Sequence, residues 1–209
     1  MSLFETKVAL TMAGVSGVGL GGYGIYHLAS SGESIGERIT NSLKGTNKRF
    51  VGKEDSEWSN LQEKYTSTFN KPKSKGSSAD LPFSDLPDWC DRNYRERYSI
   101  SKEELSKQVS NFCFFNTNTV LEELKGHSLI SGDRAGSEWQ TAWDSYNSGK
   151  SSKNLVISGS TDDAKLNGSN KAEAAPILHD WCTASSQKKM YSSNIDVLLP
   201  RFKAWCISK

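Results

Sequence analysis

One pattern of landmarks occurs twice in this chain, in the same order and at nearly the same spacing. Ser56-Glu57-Trp58, with Tyr65 behind it, returns 81 positions later as Ser137-Glu138-Trp139 with Tyr146. Leu43-Lys44-Gly45 returns at that same offset as Leu124-Lys125-Gly126. Asp88-Trp89-Cys90, Tyr98 and Cys113 return 92 to 93 positions later as Asp180-Trp181-Cys182, Tyr191 and Cys206. Such a set marks a tandem duplication of a module of about 80 residues. The expected organisation is an N-terminal segment over 1–32, one module over 33–115 and a second over 116–209. The fold class is mainly α, with room for short β-strands.

The apolar spacing inside each module is helical. Ser34-x-x-Glu37 is a capping box, after which Ile35, Ile39 and Leu43 share a face and Gly45 is a natural stop. Thr119-x-x-Glu122 opens the matching helix, with Val120, Leu121 and Leu124 apolar and Gly126 as the stop. Phe50-Val51 and Leu129-Ile130 follow, as small strands or as packing plugs. Trp58, Leu61 and Tyr65 then lie on one helix face, as do Trp139, Ala142, Trp143 and Tyr146. A polar linker comes next, Thr66 to Asp80 in the first module and Asn147 to about Ala174 in the second. Leu155-Val156-Ile157 is the apolar triplet inside the latter, and reads as a short strand. Asn167-Gly168-Ser169 matches a glycosylation sequon, which matters only in a host with the machinery.

Each module closes with a cysteine-bearing helix pair. Leu86-Pro87-Asp88-Trp89-Cys90 starts one helix, with Pro in its first turn. Ser101-x-x-Glu104 reads as the cap of the next, which carries Leu105, Val109, Phe112 and Cys113. Leu198, Phe202, Trp205 and Cys206 stand 93 positions on. Pro200 has no counterpart and predicts a kink or restart. The ends of an antiparallel pair that carry the two cysteines are adjacent, so one bridge per module is the simplest connectivity: Cys90 with Cys113 and Cys182 with Cys206. The alternatives are four reduced thiols or a four-cysteine zinc site; zinc is disfavoured because no Cys-x-x-Cys pair exists. Disulfides place the body outside the cytosol.

Residues 8–32 contain no Asp, Glu, Lys or Arg. A helix of about 20 residues crosses the hydrocarbon layer of a bilayer. Gly17 and Gly21 suit close packing in lipid, and Tyr23 and Tyr26 suit an interface. The stretch reads as an uncleaved single-span membrane anchor, against a cleaved signal peptide ending near Ala29 or a buried soluble segment. Gly17-x-Gly19-x-x-Gly22 matches a dinucleotide fingerprint only literally, because no strand pattern follows at the required distance.

The rest of the sequence argues against chemistry. A net charge of +2 and the absence of an aromatic-interleaved basic stripe exclude a nucleic-acid binder. His27, His127 and His179 have no partners at metal-ligand spacing, and serine-nucleophile and phosphate-loop motifs are absent. Asp88, Asp180, Glu57 and Glu138 recur, each as a favourable first-turn charge. No catalytic residue and no cofactor or metal is expected.

The layout resembles the small paralogous membrane proteins of haemotropic mycoplasmas. The residues that carry this are the Gly-rich span Gly14 to Gly24, the helix Ile39 to Gly45, the Glu-Trp…Tyr segment and the Trp-Cys…Cys helix pair, with the module doubled. The resemblance implies a bilayer-anchored, outward-facing protein that contributes to antigenic variation and meets host cell surfaces or antibodies. Two rivals stand beside it: an anchored or secreted carbohydrate-binding module or hydrolase, and a cytosolic membrane-tethered protein with reduced cysteines.

Overall fold

The computed structural model describes residues 32–159 and 161–208. No helix among the described residues is long and apolar enough to cross a membrane. The expected span over 8–32 lies outside them, apart from Gly32, and so do His27 and the literal glycine fingerprint.

The chain is mainly helical. The first module runs α1 (Ile35–Ser42), β1 (Lys48–Phe50), α2 (Trp58–Ser67), α3 (Leu86–Tyr94), α4 (Glu103–Cys113) and β2 (Phe114–Asn116). The second runs α5 (Val120–Glu123), α6 (Ser137–Gly149), α7 (Asp163–Leu166), α8 (Lys171–Ser186) and α9 (Ile195–Trp205). Both expected capping boxes at the module starts form. Ser34 and Glu37 satisfy each other's backbone amides ahead of α1, and Thr119 and Glu122 do the same ahead of α5. Leu43 and Leu124 lie 81 apart while Ser34 and Thr119 lie 85 apart. The four-residue difference is about one helical turn, and α5 is a turn shorter than α1.

The two halves share several backbone hydrogen bonds at matching places. Tyr98 N donates to Glu33 O and Ile35 N to Glu96 O; Met190 N donates to Asn118 O and Val120 N to Lys188 O. Val51 N donates to Cys113 O at 2.9 Å, and Ile130 N donates to Cys206 O at the same distance. β1 pairs antiparallel with β2, with Phe50 opposite Phe114. The second module keeps only a single bridge there, Leu129 to Ile207.

Two helix stops are equivalent as well. Gly45 has φ +85° and Gly126 has φ +82°, and nothing lies within 4 Å of a Cβ built on either. The space would admit a methyl group, so the requirement is purely conformational. Alanine at either position is expected to destabilise its module by about 1 kcal/mol. Chemical unfolding of the two single variants measures this, and the two costs should match.

Each module has its own core. Ile35, Leu61, Leu86, Val109 and Phe112 centre the first, and Trp139, Tyr146, Leu178 and Phe202 the second. The two clusters draw on residues before and after 116 respectively, except that Tyr191 is buried in the first.

Several local expectations are corrected. Ser101 does not cap α4: it lies in a 3-10 turn over Ile100–Lys102, and α4 starts at Glu103 without a side-chain cap. Pro200 neither ends nor restarts a helix, because α9 runs through it, as α8 runs through Pro176. Each proline removes one intrahelical bond, which the packing of Phe202 and Trp205, or of Leu178 and Cys182, outweighs. The second linker is not a plain loop, for it holds the end of α6, all of α7 and the start of α8. Leu155-Val156-Ile157 forms no strand; Ile157 is a plug, fully buried against α6.

Candidate functional site

The four cysteines are brought together in the expected pairs. Cys90 on α3 bonds Cys113 at the end of α4, with Cα atoms 5.6 Å apart. Cys182 on α8 bonds Cys206 just past α9, at 5.4 Å. All four are fully buried, and none is free. The staple sits where it does because an apolar helix face carries each cysteine inward. Leu86 and Trp89 flank Cys90, and Val109 and Phe112 lead to Cys113. Leu178 leads to Cys182, and Phe202 and Trp205 to Cys206.

A second repeated device braces the cysteine helix from outside. Lys53 pairs with Asp88 at 2.8 Å, and Arg134 pairs with Asp180, its Nε donating to both carboxylate oxygens at 2.8 and 2.9 Å. Lys53 and Arg134 stand 81 apart, and Asp88 and Asp180 stand 92 apart, so the two contacts fall at matching places in the two halves. Hydrogen bonding from Arg134 holds the Asp180 carboxyl at about 2, helped by His179. The first-turn reading holds for Asp88 but not for Asp180, since α8 begins at Lys171.

The modules meet at a junction that motif spacing did not reveal. Glu57, just ahead of α2, accepts from Lys189 Nζ at 2.8 Å and from the Tyr191 hydroxyl at 2.6 Å. Lys189 also donates to Thr117 O at 2.8 Å, and Ser193 donates to Glu63. The Tyr191 ring packs edge-on against Phe115. Beside this, Glu123 accepts amide hydrogens from Asn47, Asn116 and Asn118 at 2.9 to 3.0 Å. Glu57 therefore does more than charge a helix start, whereas Glu138 remains a first-turn residue of α6. Tyr98 and Tyr191 are not equivalent in the fold: the repeated hydrogen bond places Met190 opposite Tyr98. Met190 and Tyr191 lie in a turn, closed by Ser192 N donating to Lys189 O at 2.9 Å. Tyr98 packs on its own module, and Tyr191 packs on the neighbour.

Burial raises the Glu57 carboxyl, but the Lys189 and Tyr191 hydrogen bonds outweigh it, and the net pKa lies below the ordinary 4.5. Burial, and then the hydrogen bond to Glu57, push the Tyr191 phenol upward. A depressed carboxyl stabilises the fold above its unfolded pKa and stops doing so as pH falls through the folded one. Glu57→Gln should cost about 1–2 kcal/mol at neutral pH. The difference from the unaltered chain should shrink between neutral pH and an acid pH below the lowered Glu57 pKa. Urea unfolding at both pH values tests this; an equal deficit at both would remove the charge from the account.

The surface near the junction is shallow. A groove of about 180 Å³ is lined by residues such as Asn60, Lys64, Lys188 and Ser193, and it adjoins an open depression of about 580 Å³ along the polar face of α2. Ser193 and Glu63, hydrogen-bonded at 3.0 Å, both line the groove, and no histidine lines either depression. His179 Nδ1 lies 2.9 Å from Asp180 and its ring sits edge-on against Trp139, while His127 is exposed. Among the described residues no group of three or more His, Cys, Asp or Glu side chains is placed to hold a metal. Asn167 of the sequon is engaged internally. Its amide donates to Ile157 O and Asp163 O, and its oxygen accepts from Tyr146. The folded chain has no free Asn167 amide to glycosylate.

The arrangement comprises two covalent staples, two matching ion pairs and one polar latch between modules. Neither protein-family models, nor curated proteins, nor solved structures return a match to the chain.

Proposed function

We propose that this is a non-catalytic display protein, held in a membrane by residues 8–32 as a single span, with both modules on the outer side. The observation that carries the reading is the pair of disulfides at equivalent places in a duplicated frame. Bridges of this kind persist in oxidising surroundings and are rare in the cytosol. The pattern of sameness and difference supports it too. Apolar, aromatic and cysteine positions are shared between modules, whereas the loops over 68–80 and 150–162 differ in composition. A rigid frame carrying unlike polar loops suits contact with varied host molecules or antibodies. The resemblance to the haemotropic mycoplasma paralogues points the same way, toward antigenic variation and host contact.

Labelling of intact cells with a membrane-impermeant amine reagent tests the orientation. Exposed lysines such as Lys75 and Lys153 should react without lysis. Labelling that requires lysis would contradict outward display and favour the cytosolic tether.

A further inference from the structure

We propose that copies of this chain meet head to tail, with the stretch 96–101 of one copy seated at the start of α6 of the next. The junction inside the chain supplies the pattern. There a turn of the second half, carrying Lys189 and Tyr191, docks at the start of α2 in the first half, where Glu57 accepts from both. The two sides of that contact are unlike surfaces, a turn against a helix start, and each has a match in the other half. Surfaces of this unlike kind join copies into rings or open rows. The contact needs neither a membrane span nor an outward orientation.

Backbone contacts fix the matches. Thr119 bridges Lys189 and Ser34 bridges Arg97, so Arg97 stands where Lys189 does. Ile35 N donates to Glu96 O and Val120 N to Lys188 O, both at 2.8 Å, in the same register. Glu138 precedes Trp139 as Glu57 precedes Trp58. Inside the chain the basic and acidic members, Lys189 and Glu57, are paired at 2.8 Å. At the two ends the matching members are open. Arg97 and Glu138 are both exposed, and neither makes an ion pair with a described residue. Ile100, near Arg97, is 71% exposed, and Thr141, one helical turn on from Glu138, is exposed as well. The ends differ from the internal junction in one respect. Tyr191 packs on Phe115, whereas Ser99 and Ser208 stand at the matching places. The contact between copies therefore lacks the buried ring and rests on charge, which makes it weak, reversible and screened by salt.

Sedimentation of the full chain in nonionic detergent tests this with charge reversals. The unaltered chain should gain mass with concentration at low salt and lose that gain at high salt. Arg97→Glu alone, or Glu138→Arg alone, should weaken association about tenfold, because like charges then face each other at every contact. Mixed in equal amounts, the two variants should associate as the unaltered chain does, since each offers the charge that the other lacks. That recovery also shows that both variants are folded. A chain that stays single at every concentration would overturn the proposal. So would association that either reversal leaves unchanged, or that the mixture fails to restore.

Discussion

Replacing Cys182 and Cys206 together by alanine should lower the stability of the second module by about 3 kcal/mol. The bridge closes a separation of 24 residues, and the first module's closes 23, so the equivalent change at Cys90 and Cys113 should cost nearly the same. Alanine is the right probe because all four positions are fully buried, where serine hydroxyls would add the cost of unpartnered polar groups. The double change also avoids leaving a lone thiol. The two cores are separate apart from Tyr191. Denaturant unfolding should therefore show one transition moving strongly and the other moving only by what the junction transmits. Equal shifts of both transitions would mean that the modules unfold as one unit. No shift would mean that the staple stores nothing the packing does not already supply.

Trp139→Ala should be about as damaging, at roughly 3–5 kcal/mol. Trp139 is fully buried at the centre of the second core, and truncation leaves a cavity between α6 and α8 that rigid neighbours close only in part. A milder pair of changes separates packing from polar terms. Trp58 Nε1 donates to Gly52 O at 2.7 Å, whereas Trp139 Nε1 is buried without a partner. Trp58→Phe removes a hydrogen bond, and Trp139→Phe removes a buried donor that has none. The phenylalanine variant should therefore be tolerated better at 139 than at 58, and thermal unfolding of the two reads the order directly. The reverse order would place a partner on the Trp139 indole in solution.

Much of the frame was legible because it is encoded locally and twice. The capping boxes at Ser34 and Thr119 need only residues three apart, and the apolar faces of α2 and α6 need only helical spacing. The cysteine pairing followed from the two ends of a helix pair having to meet. Other features depend on packing that no window of sequence contains. Ser101 has the right partner at Glu104, but the chain ahead of α4 takes a tighter turn. Pro200 is a breaker by propensity, and the core that holds Phe202 and Trp205 overrides it. Leu155-Val156-Ile157 is apolar like a strand, yet no neighbouring strand pairs with it.

The module junction was the least legible part. Matching by residue type aligned Tyr98 with Tyr191, whereas the backbone sets Met190 opposite Tyr98 and the Tyr191 ring lies in the first core. Lys189 carried no motif at all. The tyrosines repeat at an offset of 93, as Cys113 and Cys206 do, whereas Cys90 and Cys182 repeat at 92, so the spacing places one added residue between them without marking the junction. The Glu57, Lys189 and Tyr191 contact depends on packing between residues more than 130 positions apart.

The most direct test of the whole account is the thiol state of the protein in its native cells. Free thiols are blocked with a membrane-permeant reagent, and the protein is digested without reduction. The account predicts two linked peptides, one joining Cys90 to Cys113 and one joining Cys182 to Cys206, with no labelled cysteine. Four labelled free thiols would contradict it, removing both staples and with them the argument for a body outside the cytosol.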